Sequence, residues 1–330
     1  FPPQALIFQS TMALGCSALS LIKNEADIIE LFIRINSRVI DHFFIVDNGS
    51  TDHTIKIIEK MKAEGYKITL YSDPNPVYQQ DKMTTRAFRT AASSNKFDWA
   101  FFLDADEFLN IPKEKLEEEL LTIKGEDVAA IKWSNWIPKG NDYYEYPNPL
   151  WSCFERKAKE EVEFTKVIIP YHLAQDTMVS VGNHDAWFMY DRNSLNISLH
   201  EGRKLTAIPL TCGVLDHVPV RSADQILTKT VIGEISLSIK EKRDPHEGYH
   251  WRNNYKIIKQ YGFDIDDSLV RYLGVNYLSD KGDFTDEVDP DSRLGLETDT
   301  VKYRQLYKFN YKARIFNFVQ VLAETIRTLK

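Results

Sequence analysis

Apolar positions over the first 135 residues follow two alternating periods. Short, largely apolar runs at residues 17–22, 43–46, 67–71 and 99–103 have the length and residue types of buried strands. Between them apolar residues recur at helical spacing. Ile28, Ile29, Phe32 and Ile35 predict a helix to about Arg38. Ile55, Ile58 and Met61 predict a second helix, stopping at Gly65, and residues 81 to about 94 a third. Strand–helix alternation with short connections predicts an α/β fold built on a parallel sheet with right-handed crossovers. A charged helix from Pro112 to roughly Ile123 and a strand at 128–133 continue the series. There the alternation stops. Residues 134–225 are rich in Trp, Tyr, His and Pro, with short strand-like segments at 162–169, 178–181 and 206–209. From Asp224 the helical period returns through Ile226, Leu227, Val231 and Ile235. Residues 280–300 read as an exposed loop. Ile315, Phe318, Leu322, Ile326 and Leu329 mark a last helix.

The fourth strand changes the picture from fold to chemistry. It runs Trp99-Ala100-Phe101-Phe102-Leu103 and ends in Asp104-Ala105-Asp106-Glu107-Phe108. The second strand ends in Asp47. In an open parallel sheet both ends face one crevice at the carboxyl edge, where ligands bind. Two aspartates at i, i+2 on an extended chain point the same way. Such a pair suits a divalent cation bridging nucleotide phosphates, although an isolated Asp-X-Asp is commonly a solvated loop.

The 330 residues suffice for one large α/β domain or two smaller ones, and 43% hydrophobic residues support a real core. A net charge of −7 argues against a nucleic-acid partner. Cys16, Cys153 and Cys212 are widely spaced and form neither a zinc pattern nor a disulfide framework, so a reducing, cytoplasmic setting is expected. In that setting the sequons at Asn48 and Asn196 carry no meaning. No apolar run approaches a membrane span. The chain opens Phe1-Pro2-Pro3 without Met, so one module of a longer protein is expected. Gly-X-Gly-X-X-Gly is absent, which argues against a dinucleotide-binding dehydrogenase.

Lys23-Asn24-Glu25 after the first strand, Asp47-Asn48-Gly49-Ser50-Thr51-Asp52 after the second and Asp104-Ala105-Asp106-Glu107-Phe108 after the fourth occur in an order that resembles GT-A-fold glycosyltransferases. The similarity is to family 2 and relatives whose metal motif reads Asp-Ala-Asp-Glu-Phe. It is firm over residues 16–136. Lys166 to Pro170, Gly182-Asn183-His184, Asp216-His217-Val218, Arg221-Ser222 and Lys229 resemble looser, later features of that group. The resemblance implies a mostly parallel GT-A sheet flanked by helices. Residues 1–15 would be a linker or edge element, and 16–225 the catalytic domain. Within it, 16–136 would hold the nucleotide sugar and 137–225 the acceptor, with 226–330 a helical extension. It implies inverting transfer from a nucleotide-diphosphate sugar to a hydroxyl of a glycan or lipid-linked glycan, with Mn2+ or Mg2+. A role in bacterial surface polysaccharide synthesis is expected. Competing readings are a sugar-nucleotide pyrophosphorylase, disfavoured by Ile22-Lys23-Asn24-Glu25 where a Gly-rich loop would stand, and a non-catalytic glycan-binding module.

Carried over by motif, Asp47 and Asn48 would contact the base or ribose, with Leu21, Lys23, Asn24 and Glu25 around the base. Asp104 and Ala105 would touch the ribose or the metal through water, and Asp106 would ligate the metal. His217 would complete the metal shell or be a hydrogen-bonded strand-end histidine, and His184 at the acceptor side is open to the same two readings. Arg221 and Lys229 would hold the diphosphate or lie on a solvated helix face. Arg86 would reach the donor or form a surface ion pair. Asp185, then Glu155, are the candidates for the base that takes the acceptor proton. Trp133, Trp136, Tyr143, Tyr144, Tyr146 and Trp151 would stack on the acceptor sugar or pack a core. Segment 302–330 carries seven Lys and Arg against Glu324 alone, so it would lie on an anionic membrane or pack on the domain.

Overall fold

The computed structural model describes residues 13–77, 79–140, 143, 153–158, 160, 163–193, 195, 202–240, 247–278, 301–307 and 310–328. Tyr144, Tyr146, Trp151, Asn196 and the loop at 280–300 lie outside the described residues. In chain order these form β1 (Cys16–Ile22), α1 (Ile29–Asn36), β2 (His42–Asp47), α2 (Thr54–Ala63), β3 (Ile68–Ser72), α3 (Gln80–Ser94), β4 (Trp99–Phe102), β5 (Glu107–Asn110) and α4 (Lys113–Leu120). There follow β6 (Val128–Pro138), β7 (Phe154–Arg156), β8 (Thr165–Pro170), β9 (Thr177–Val179), β10 (Ala186–Met189), β11 (Gly202–Lys204), β12 (Ala207–Pro209) and β13 (Val214–His217). The chain closes with α5 (Ala223–Ser238), α6 (Tyr249–Gln260), α7 (Asp267–Val275) and α8 (Tyr311–Thr328).

The main sheet has the order β3-β2-β1-β4-β8-β6-β13-β5. β3, β2, β1 and β4 are parallel, as their buried apolar runs require, with Ile22 opposite Asp47 and Leu19 opposite Phe102. Beyond β4 the sheet is mixed. β8 runs antiparallel to both β4 and β6, and β5 antiparallel to β13. β6 changes partners along its length, pairing β8 and β12 early, β13 later and β7 at its end. Helices cover both faces. On one side Phe32, Ile57, Ile58, Met61 and Leu116 pack on the sheet; on the other, Met83, Phe88 and Ala91 of α3 meet Leu19, Phe44 and Phe102. Gly65, at φ +101°, ends α2 in the left-handed region, as its position predicts.

Helix α1 departs from the amphipathic expectation, because every residue of it is buried. Its polar side chains are all partnered. Glu30 accepts from Arg34 Nε (2.9 Å), the backbone N–H of Lys302 (2.7 Å) and Tyr303 (3.0 Å), and Tyr307 Oη (2.9 Å). The C-terminal segment is thereby tied to the sheet through α1. Asn36 donates to the carbonyl of Glu107 (2.9 Å) and accepts from the N–H of Leu109 (2.8 Å), so its amide satisfies two backbone groups of β5. Asn36→Ala strands both of those buried groups. A loss of about 2–3 kcal/mol is expected, read as a lower denaturant midpoint at unchanged slope.

The acidic stretch after β4 is a turn rather than an extended continuation. Glu107 N–H donates to the Asp104 carbonyl (3.1 Å), and the Glu107 carboxylate accepts from Asp104 N–H (2.9 Å). The turn closes because β5 reverses direction to join β13. It aims Asp104 and Asp106 differently from the alternation of a strand.

Candidate active site

A cavity of about 520 Å³, within the range of ligand sites, opens at the carboxyl ends of β1, β2 and β4. One rim is the loop after β1, laced to the turn after β2. Asn24, at φ +60°, takes the left-handed conformation that Asn tolerates. Its side chain accepts from Thr51 N–H (2.8 Å), and its own N–H donates to Ser50 Oγ (2.9 Å). Glu25 N–H donates to Thr54 Oγ1 (2.8 Å), and Ala26 N–H to Asp52 (3.1 Å). Asn48 donates to the carbonyls of Asp73 (2.8 Å) and Asn75 (2.7 Å) and accepts from Lys23 Nζ (3.2 Å). Lys23, Asn24, Glu25 and Asn48 line the cavity. Asp47 lies behind that wall, where its carboxylate accepts from Ser50 N–H (3.0 Å) and shapes the turn.

Arg314 of α8 reaches this rim. It donates to the carbonyl of Asn24 (3.2 Å) and pairs with buried Asp52. Phe318 lies 4.8 Å from Lys23 Nζ, and burial pushes the Lys23 ammonium down to about 8. The apolar period of α8 was legible, but this inward arginine was not. Phe316, Val319, Val321 and Ile326 are exposed on the same helix. Among the described residues no helix is long and apolar enough to cross a membrane.

The cavity floor carries the carboxylates, and each is held by a cation from a distant element. Asp104 accepts from Lys166 Nζ of β8 (2.6 Å) and Gln80 of α3 (3.4 Å). Lys166 is fully buried and also lies 3.1 Å from Glu107. Burial alone would lower Lys166, but Asp104 and Glu107 outweigh it and push the ammonium up to about 12. Asp106 accepts from Lys229 Nζ of α5 (2.6 Å), with Arg221 3.7 Å away. Burial would raise the Asp106 carboxyl; Lys229 leads the charges that outweigh it and hold it well below the usual carboxylate range.

His217 stands 3.9 Å from Asp106. Asn135 gives its N–H and its Nδ2 to Glu160 (2.7 and 2.8 Å), which turns its carbonyl oxygen toward His217 Nδ1 (2.7 Å). Nδ1 must therefore donate, and the lone pair of Nε2 faces Asp106. Burial pushes His217 down to about 3, so the ring is neutral. A carboxylate oxygen beside an imidazole lone pair is a donor set that fits a transition ion such as Mn2+ better than Mg2+, which takes oxygen ligands. No cluster of three or more His, Cys, Asp or Glu side chains suited to a metal occurs among the described residues. A cation here would complete its shell from phosphate and water.

Trp133, His184, Ala105, Arg221 and Lys229 also line the cavity. Other expected residues do not, Asp47 among them. Arg86 is exposed on α3. Trp136 is buried and donates to Asp216 (2.9 Å). Asp185 pairs with Lys204 (2.6 Å), and Glu155 with Arg271 (3.0 Å). Tyr143 is buried and donates to the carbonyl of Asp27 (2.8 Å). The far wall instead comes from Glu247, His250, Trp251 and Tyr277, which no periodicity marks.

The model of the glycosyl transferase family 2 matches residues 19–196, more than half of the chain. A glycosyltransferase family 92 protein of Oryza sativa subsp. japonica is 28% identical over 103 residues, 31% of this chain; the match spans 17% of that relative's length. Among solved structures, S. aureus TarS 1-349 in complex with UDP is 13% identical with a TM-score of 0.36, covering 71% of this chain and 68% of that one. A mannosyltransferase, PcManGT from Pyrobaculum calidifontis in complex with GDP-Man and Mn2+, is 13% identical with a TM-score of 0.37, covering 77% and 74%. With the family match running from β1 through the acidic turn and beyond β10, the chain belongs to glycosyl transferase family 2.

Proposed function

We propose that this protein is a glycosyltransferase that moves a sugar from a nucleotide-diphosphate sugar to a hydroxyl of a glycan or lipid-linked glycan, with inversion at the anomeric carbon, and that it uses Mn2+ or Mg2+. The observation that carries this reading is the charge arrangement on the cavity floor. Lys166, Arg221 and Lys229 are buried or largely buried cations. Asp104, Asp106, Asp27, Glu25 and Glu107 offset them. Burial lifts Glu25 to about 7 and Glu107 to about 8, so these two carry little charge near neutrality and the floor is close to neutral before a donor arrives. A diphosphate adds at least two negative charges in a poorly solvated site, and a divalent cation beside Asp106 and His217 restores the balance. When bound, that ion acts as a Lewis acid toward the leaving diphosphate.

The chain's own residues do the rest. Lys229 and Arg221 stay charged at any working pH and stand where the departing charge grows. Lys23 and the Asn24–Asn48 lacing hold the nucleoside end, so that the anomeric carbon is presented in one orientation. The acceptor oxygen attacks that carbon as the bond to the diphosphate breaks.

The test is a thermal-shift panel of UDP, GDP, dTDP and CMP, each with and without Mn2+. At a hundred times the dissociation constant a ligand adds about 2.7 kcal/mol, roughly a 3–6 °C rise for a chain of this size. One nucleotide is expected to give that rise only with Mn2+. No rise with any of the four would overturn the donor site. Binding without turnover of the matching nucleotide sugar would instead favour a non-catalytic module.

A further inference from the structure

The catalytic sheet supplies only part of the cavity wall. The far side is built by the C-terminal helices and carries a row of rings that begins at the acidic turn. Trp133 stacks on His217 at 4.2 Å; Tyr277 follows at 5.6 Å from His217, His250 at 5.3 Å from Tyr277, and Trp251 at 5.1 Å from His250. The Trp133 indole N–H is buried without a hydrogen-bond partner. Apolar ring faces with a spare donor match the C–H faces and hydroxyls of a sugar better than they match a phosphate.

The position of this wall is fixed by close packing. A Cβ at Gly233 would lie 2.4 Å from the Trp251 ring, and one at Gly248 would lie 2.2 Å from Leu237. Helix α6 therefore begins against the end of α5, eight residues beyond Lys229. At 1.5 Å per residue that is about 12 Å along the helix, room for one sugar ring between the diphosphate cations and Glu247. Glu247 lines the cavity with its side chain 9% exposed and pairs with Lys240 at 2.5 Å. The other lining carboxylates, Glu25, Asp104 and Asp106, are each bound to a cation of the diphosphate end.

We propose that this wall is the acceptor subsite, that it takes a sugar hydroxyl, and that Glu247 is the general base of the transfer. The acceptor oxygen forms the new bond to the anomeric carbon. The bond from that carbon to the diphosphate breaks, its electron pair leaves with the diphosphate, and the hydroxyl proton passes to the Glu247 carboxylate. Asp185 and Glu155 lie off this wall. The assignment rests on the nucleotide-sugar transferase reading above.

The experiment compares wild type, Glu247→Gln and Lys240→Gln. Donor affinity is read by thermal shift with the nucleotide sugar whose nucleotide binds. Turnover is read as nucleotide diphosphate released to water and to methyl glucoside, galactoside, mannoside and N-acetylglucosaminide. Glu247→Gln is expected to lose roughly 10²–10⁴-fold in kcat with donor affinity within twofold of wild type. Lys240→Gln, which breaks the same ion pair but keeps the carboxylate that takes the proton, is expected to stay within about fivefold of wild type in kcat. Glu247→Gln turning over at more than a tenth of the wild-type rate overturns the assignment. So does an equal loss in Lys240→Gln, which marks the pair as structural. Failure of wild type to bind any nucleotide sugar overturns the donor reading and the subsite with it.

Discussion

Asp106→Asn is expected to lower kcat/KM by roughly 10³-fold or more, about 4 kcal/mol of transition-state stabilisation. The substitution keeps the volume and one oxygen of the side chain and removes a single negative charge. That charge is the closest partner of Lys229, at 2.6 Å, and lies 3.7 Å from Arg221 and 3.9 Å from the His217 lone pair. On the proposed reading its loss weakens the divalent-cation site and leaves the Lys229 ammonium and the Arg221 guanidinium without their shared counter-charge. The Mn2+-dependent part of the nucleotide thermal shift is expected to vanish, which separates loss of the cation site from general damage. Stability changes in the same direction. Held below its unfolded value of about 3.9, the Asp106 carboxyl contributes stability that is present above that pH and is lost as pH falls through the folded value. Asp106→Asn is therefore less stable than wild type at pH 7, and the difference narrows in acid. A variant with full metal-dependent nucleotide binding would remove Asp106 from the cation site.

The carboxylates of this site stand out in the sequence by their place at strand ends; Lys166, Arg221 and Lys229 are marked there only by the resemblance, and which carboxylate each would hold is not marked at all. β1 to β4 and α1 to α3 stand out because strands buried on both faces read as unbroken apolar runs while the helices between them keep a 3.6-residue period. The turn residues after β1 and β2 announce themselves by composition. Lys166, however, sits 62 positions beyond Asp104, inside an otherwise apolar strand. Only the antiparallel seating of β8 beside β4 brings it back, and no local pattern encodes which strand pairs with which. Lys229 is one polar position on α5, and periodicity shows that a helix has a buried face without showing what that face meets. The same holds for α8. Its amphipathic period predicted a packed or membrane-bound helix, yet Arg314 is turned inward onto Asn24 and Asp52. The rings of the far wall, His250, Trp251 and Tyr277, come from the start of α6 and from the turn after α7, at a spacing with no helical or strand period.

Arg221→Met is expected to cost about 3–5 kcal/mol of folding stability at pH 7 to 8, the usual range for breaking a buried ion pair from one side. Arg221 is 1% exposed. It clamps Asp27 with two hydrogen bonds, at 2.8 and 3.0 Å, and donates to Glu25 at 2.7 Å. Asp27 itself is fully buried. Methionine fills much of the same space but leaves Asp27 with no counter-charge among these partners, and the chain must then bury a bare carboxylate or protonate it. The pH dependence distinguishes this cause from lost packing. Burial raises Glu25 to about 7 even with Arg221 beside it, against about 4.3 in the unfolded chain. The folded protein therefore binds more protons at Glu25, and the stability linked to that group is full below pH 4 and declines as pH rises through 7. Removing Arg221 raises Glu25 further, which steepens the decline. The deficit of Arg221→Met against wild type is expected to be largest near pH 8 and to shrink near pH 5, where Glu25 is protonated in both proteins. Arg221→Lys restores a charge without the planar fork that spans both oxygens of Asp27, so it is expected to recover part of the deficit at pH 8. Denaturant midpoints of the three proteins at pH 5 and pH 8 decide the matter: a deficit of equal size at both values would assign the loss to packing and free Arg221 from its role as the charge that lets Asp27 and Glu25 be buried beside the donor site.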